Sequence, residues 1–381
     1  MRVIDRFAIL LSASAFIIFH LAFSATINAQ EFTQFRGLGG KGVAKGQLSE
    51  TFSLESNLVW RKKIEGAGWS QPIVANDRIF LTTAVAANGF KPKDFAGGVR
   101  MPESRGGGGK KPDFEVEWRV VCLEQESGKE LWSTSIEKKT PKFPVHPSNS
   151  YATETPAVDK DGVYAYFGAI GMVVGLDLDG NLKWKQDVGA FKTGNDFGTG
   201  SSLAIHESKV FVQNFNETSS KLFCFDTTSG KQLWANARQG QGTSWSTPVI
   251  WKNKQRTELI VSGGMTVDSF NPEDGSTLWT VSKVKAATAC SICVDDEKIY
   301  FGGSDPMSKG PVFAVGPGGS GSIEPKRTNQ TFESCVWRRP RSGPGMSTPV
   351  SNGKYLYIPD RSILRCLNAE SGELVYEKRL N

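Results

Sequence analysis

The chain has 381 residues, long enough to bury a large core, and its 39% hydrophobic and 22% charged residues exclude a disordered polymer. Its net charge of +6 is spread, with lysines and arginines interspersed among acids, which argues against the concentrated basic footprint of a nucleic-acid binder. The 41 glycines, 18 prolines and 10 tryptophans call for many turns and aromatic anchors, and so for an all-β chain of short strands.

The first segment, MRVIDRFAILLSASAFIIFHLAFSATINAQ, places Arg2 and Arg6 ahead of an apolar stretch from Phe7 to Phe23, followed by small residues up to Ala29. That is a secretory leader pattern. Residues 1–29 are read as a signal peptide, residues 30–381 as the folded domain, and the mature chain as exported to the periplasm or another extracytoplasmic part of the cell envelope. The competing reading is an uncleaved anchor, for which this stretch, interrupted by His20, is marginal in length. No cysteine follows it that would carry a lipid, and no later segment is apolar enough to span a membrane.

Around Trp60, NLVWRKK reads as a lone outermost strand. A repeat then begins. One phrase occurs as VVCLEQESGKELW (120–132), VGLDLDGNLKW (174–184), LFCFDTTSGKQLW (222–234), VDSFNPEDGSTLW (267–279) and LRCLNAESGELVY (364–376). A degenerate copy, VFAVGPGGSGSI (312–323), has a displaced Trp337. Upstream of each copy lies a second phrase, such as WSQPIVANDRIFLT from Trp69, WSTPVIWKNKQRTELIVSGG from Trp245 or MSTPVSNGKYLYIPD from Met346. Each unit thus holds four short β-type runs.

A period of about 40 to 50 residues with four strands and a terminal tryptophan is the signature of a propeller blade, which needs neighbours stacked around an axis to bury both faces. The serine-proline phrase is expected nearest the axis. Trp132, Trp184, Trp234 and Trp279 are expected at the rim against the neighbouring blade, each burying ~200 Å² and contributing at most ~5 kcal/mol. Gly128, Gly180, Gly230, Gly275 and Gly372 supply the positive φ of the last hairpin. On that hairpin DLDGN (177–181) is a turn and not a calcium loop, since the later glutamate is missing.

The repeat resembles the PQQ-like (pyrroloquinoline quinone repeat) β-propeller family, found in quinoprotein alcohol dehydrogenases and, more distantly, in outer-membrane protein assembly factor B. QFRGLGGKGVA (34–44) and HPSNSYATETPAVDKDGVYAYFGAIGMVVGLDLDGNLKW (146–184) are most similar to exported PQQ-like repeat proteins of planctomycete-type bacteria. The resemblance runs from about Phe32 to the C-terminus and implies a fold far more than an activity. It also implies seven or eight blades, whereas the chain offers six recognisable repeats plus the N-terminal strand. The expectation is therefore an incomplete seven- or eight-bladed ring: a shortened relative is favoured over a small or gapped ring or one completed by another molecule. An open ring would expose strand edges through which the chain could associate.

Residues 86–117, rich in glycine and basic residues, are expected to form a flexible loop insertion; GGGGKKP there lacks the serine or threonine of a phosphate loop. Cys122, Cys224 and Cys366 share one position, where other units carry Gly175, Ser269 and Ala314, so that slot demands a small side chain, with a neighbouring blade expected to pack over it. Cys290 and Cys293 fall on opposite faces of one inner strand, and Cys335 has no evident partner, so free and mostly buried thiols are expected.

Catalysis finds little support. A PQQ-dependent enzyme of the resembled family would combine vicinal cysteines, calcium donors from glutamate, asparagine and aspartate, and an aspartate base, and no adjacent cysteines occur here. GGSGS (318–322) fails as a nucleophile elbow, and the histidines after the leader are His146 and His206 alone. No catalytic, cofactor or metal residue is assigned. Candidate ligand contacts at the channel mouth are Trp69, Ser70, His146, Asn149, Tyr151, Trp245 and Ser246, whose competing reading is packing and turn capping. The expected function is an exported, non-catalytic binding or assembly scaffold for an envelope protein or polymer, without nucleic acid and without a cofactor. The alternative is a quinoprotein oxidoreductase of the alcohol or sugar dehydrogenase type that binds PQQ with calcium.

Overall fold

The computed structural model describes residues 32–44, 51, 53–93, 110–238, 240–264, 266–284, 289–304 and 308–380. The leader, residues 1–29, lies outside the described residues. Apart from two short 3-10 turns at Leu38–Gly40 and Gly194–Asp196, the regular structure among them is all β. No helix among the described residues is long and apolar enough to cross a membrane.

The strands form six antiparallel meanders in chain order. Blade 1 consists of Ile73–Ala75, Arg78–Ala86, Val116–Glu124 and Glu130–Lys139. Blades 2 to 6 repeat the plan over residues 157–187, 204–237, 249–281, 293–339 and 350–379. Inner strands touch between blades 1 and 2, 2 and 3, 3 and 4, and 5 and 6, so the first strand of each lies at the axis. The chain always crosses from an outer strand to the next inner strand at one end of the ring, the lead-in end. The first and third hairpins of each blade close at the opposite, turn end, and the middle hairpin closes at the lead-in end.

Register explains the small-residue slot. Cys122 stands opposite Trp132, Gly175 opposite Trp184, Cys224 opposite Trp234, Ser269 opposite Trp279, Ala314 opposite Trp337 and Cys366 opposite Tyr376, with a bulge immediately after each. The ring covering the slot belongs to the same blade, which corrects the expectation that a neighbouring blade packs over it. A Cβ added to Gly175 would lie 2.3 Å from Cε2 of Trp184. The indole's other face meets the neighbour: Trp132 packs on Gly180, Trp184 on Gly230, Trp234 on Gly275 and Trp337 on Gly372. Each of these indole N–H groups also donates to a backbone carbonyl of the same turn, at 3.0 Å to Leu178, 2.8 Å to Thr227, 3.2 Å to Pro272 and 3.0 Å to Ala369. The turn glycine therefore serves twice, by its positive φ and by leaving room for the ring.

Blade 4 departs from the rule. The N–H of Trp279 donates to its own blade's buried Glu258, which also accepts from Ser269 and pairs with Arg256. Blade 5 departs too: Gly321–Ile323, within the degenerate repeat, leaves its own sheet and pairs in parallel with the outer strand of blade 4. Trp337 nonetheless fills its slot.

The insertion is shorter than the sequence implies. Ala86 pairs with Val116 and Val85 with Glu117, and Phe90 and Phe114 stack on one another and edge onto Tyr151. Its residues 94–109 lie outside the described residues. NLVWRKK forms no ladder, yet Trp60 lies on Gly128 and donates to the carbonyl of Gln125 at 2.8 Å, as a preceding blade's indole would.

Candidate functional site

The inner strands are joined by a girdle of hydroxyls. The backbone N–H of Gln71 donates to Thr155 Oγ1, that of Thr155 to Ser202, of Ser202 to Thr247, of Thr247 to Ser291, and of Ser291 to Thr348, all at 2.9–3.0 Å. Each link satisfies an amide that a short inner strand would leave unpaired. The recurrence of serine and threonine in the inner phrase is thus structural. In blade 1 the position is Gln71, and the link from blade 6 is made by a different device.

That device is the segment 32–44, which crosses the turn end of the ring and touches every blade. Phe32 exchanges backbone bonds with Val74 of blade 1, the Thr33 carbonyl accepts from Val158 of blade 2, and Gln34 accepts from Ile205 of blade 3. The 3-10 turn packs on the inner strand of blade 4, and Lys41 pairs with Asp296 of blade 5 at 2.6 Å. Arg36 joins the two remaining edges, its backbone N–H donating to Gln71 at 3.2 Å and its guanidinium to the Pro349 carbonyl at 2.6 Å. The buried thiols of Cys290 and Cys293 lie near this guanidinium, and burial pushes both up to about 12, leaving them protonated.

At the lead-in end the structure gathers three of the sequence candidates around Phe197. His146 meets its ring edge-on at 5.3 Å, Trp245 lies 6.0 Å away, and the Asn149 amide donates to the Phe197 and Thr199 carbonyls. Most of their polar capacity is spent within the fold. The indoles of Trp69 and Trp245 donate to the carbonyls of Ser148 and Gly198, and Ser70 bonds both to the amide and to the carbonyl of Thr82. His146 Nδ1 pairs with Ser148 at 2.6 Å, its Nε2 has no partner, and burial lowers its pKa, so the ring is neutral. Ser246 is fully buried with an unpartnered hydroxyl. Tyr151 is not part of this group: it is buried beneath Phe90 and Phe114, with its φ at 63°.

The sequence reading missed Glu154. It occupies the position held by Ser70, Ser201, Ser246, Cys290 and Ser347 in the other blades, and an acid in a serine position is the signal that could have found it. It is 1% exposed, lies against Gly168 and Thr199, and neither oxygen forms a well-made hydrogen bond. Burial pushes its carboxyl up to about 7. Beside it, Tyr166, Thr199, Gln213, Thr243 and Trp245 line a partly open cavity of about 10 Å³, and the Gln213 carbonyl oxygen is unpartnered. That volume suits one water molecule.

The model of a family described as outer membrane protein assembly factor BamB matches residues 46–247 and 171–319, well over half of the chain. No curated protein matches the sequence significantly. Among solved structures, quinohemoprotein alcohol dehydrogenase from Comamonas testosteroni is similar at a TM-score of 0.52 and 12% identity, over 92% of this chain and 73% of that one. BamB from Moraxella catarrhalis is similar at 0.46 and 15%, over 70% of each chain. A europium-containing methanol dehydrogenase is similar at 0.48 and 11%, over 83% and 79%. Repeat, register and family model agree, and the chain belongs to the PQQ-like β-propeller family, in the branch whose model carries the description of assembly factor BamB.

Proposed function

We propose that the protein is an exported, non-catalytic scaffold that binds a protein or polymer of the cell envelope. The observation that carries this reading is where the binding capacity lies. At the axis, one end is crossed by residues 32–44, and at the other most of the polar and aromatic groups bond within the fold beside a cavity of about 10 Å³, with His146 Nε2, the Ser246 hydroxyl and the Gln213 and Glu154 oxygens buried and unpartnered. On the outside, seven of the fifteen exposed large hydrophobic residues among the described residues fall in just two stretches, 54–59 and 374–380. Exposed apolar side chains gathered in this way suit a protein surface better than a small-molecule site.

The residues present do not suit PQQ with calcium. No group of three or more His, Cys, Asp or Glu that could hold a metal occurs among the described residues; beside the axial cavity, Glu154 is buried against Gly168 and Thr199, and Glu217 accepts from Thr243 at 2.7 Å. The leader and the family description favour the envelope as its place of action.

Two measurements test the reading. Equilibrium dialysis of the mature protein against PQQ and Ca²⁺ is expected to give no stoichiometric uptake, and uptake would overturn the non-catalytic reading. Affinity capture from envelope extracts is expected to return a reproducible partner; its failure would count against the scaffold.

A further inference from the structure

The interface between blades recurs with enough regularity to show where it is missing. In five blades the residue opposite the slot is buried to 2% exposure or less: Phe80, Tyr164, Phe211, Ile260 and Tyr300. In blade 6 the equivalent Tyr357 is only half-buried, Tyr376 is 42% exposed, and the whole outer strand Leu374–Arg379 is exposed. Across the gap, ESNLVW (55–60) echoes ESGELVY (370–376), and Asn57 takes the turn glycine's positive φ at 61°. Trp60 then covers Gly128. Residues 57–64 therefore stand where the outer strand of a blade between blades 6 and 1 belongs. No backbone N–H of residues 58–66 is hydrogen-bonded among the described residues.

The third strand of each blade shows what the vacant position accepts. Its small residue lies under the blade's own indole and is flanked, in blades 1, 2, 3 and 5, by two bulky apolar residues: Val-Cys-Leu (121–123), Val-Gly-Leu (174–176), Phe-Cys-Phe (223–225) and Phe-Ala-Val (313–315). In blade 2, Val174 and Leu176 pack against the aromatic face of blade 1. We propose that the gap between blades 6 and 1 is a docking slot for an extended strand of a partner protein. That strand hydrogen-bonds beside residues 58–64, sets a Gly, Ala, Ser or Cys under Trp60, and points the flanking apolar side chains at Tyr357 and Tyr376. The interface is continuous in design with the interfaces inside the chain. A second copy is a poor donor, because its bulky-small-bulky triplets are central strands of its own blades. In the mature chain, residues 45–50 and 94–109 contain no such triplet; Phe7-Ala8-Ile9 and Leu21-Ala22-Phe23 belong to the leader and are not part of the protein tested.

The proposal rests on the scaffold reading only in requiring a protein partner. It is tested on the mature chain with a fluorescein-labelled peptide corresponding to residues 221–230, with alanine at the position of Cys224. Saturable one-to-one binding is expected, with hydrogen-exchange protection at residues 58–64. A peptide with leucine in place of that alanine should bind at least tenfold more weakly, as should Tyr357→Lys protein with the original peptide. Absence of binding, equal binding of the leucine peptide, or protection that leaves residues 58–64 unchanged would overturn the slot. So would concentration-dependent dimerisation of the chain alone with protection at 58–64, which assigns the position to a second copy. Envelope capture separates the two readings: a partner lost from Tyr357→Lys protein supports the slot, whereas one retained equally by both proteins overturns the slot and leaves the scaffold standing.

Discussion

Glu154 shows how one side chain can depart from a repeat and couple the fold to pH. Its carboxyl is raised to about 7 by burial, so between the ordinary carboxylate range and that value the folded chain holds a proton that the unfolded chain has released. The sign follows: this group favours the folded state most at low pH, and stability falls as pH rises through that window. Replacing Glu154 by Gln should remove the dependence. Denaturation midpoints of Glu154→Gln and wild type, close at pH 5, should separate by pH 8 in favour of the variant, by at most roughly 3 kcal/mol. Equal midpoints at both values would mean that the carboxyl is not held in this environment. The residue was legible as an acid in a serine position, but its burial was not, because Gly168 comes from a later hairpin of its blade and Thr199 from the lead-in to the next blade.

Among elements, cohesion rests on the indole clasped between its own slot and the next blade's turn. Gly230→Ala would place a methyl about 2.5 Å from the Trp184 ring in a backbone already at φ 69°. A cost of about 2–4 kcal/mol by urea denaturation is expected. Gly240 provides the control: its φ is 72°, but nothing lies within 4 Å of an added Cβ, so Gly240→Ala should cost only the conformational strain of about 1–2 kcal/mol. Equal costs at the two sites would remove the clasp from the account. Most of this scale could be read from the sequence, because the slot, the glycine and the tryptophan recur at fixed spacing within a hairpin. What could not be read was the ring that covers the slot, which depends on the bulge opposite it, nor the capture of Gly321–Ile323 by blade 4, since a degenerate repeat gives no register.

For the molecule as a whole, the junction of blades 6 and 1 is the weak seam, and Arg36 spans it. Arg36→Ala removes a half-buried, hydrogen-bonded charge and leaves the carbonyls of Gly40 and Pro349 without their donor, a loss expected to cost about 2–4 kcal/mol. Hydrogen exchange should quicken first in the inner strands of blades 1 and 6. Exchange rising uniformly around the ring would indicate that the segment is mere filling. None of this was visible in the repeat, because Arg36 and Pro349 lie 313 positions apart and QFRGLGGKGVA belongs to no blade. At the channel mouth, tryptophan, serine and asparagine at strand starts read from sequence as binding groups or as caps, because the same chemistry serves both, and in the structure they cap turns and bridge blades. The measurement that bears most directly on a scaffold working through its open seam is hydrogen exchange of the mature chain with an envelope partner bound. Protection concentrated at residues 57–66 and 374–380 is the predicted result; protection confined to residues 146–153, 193–200 and 241–246, with the seam unchanged, would contradict it.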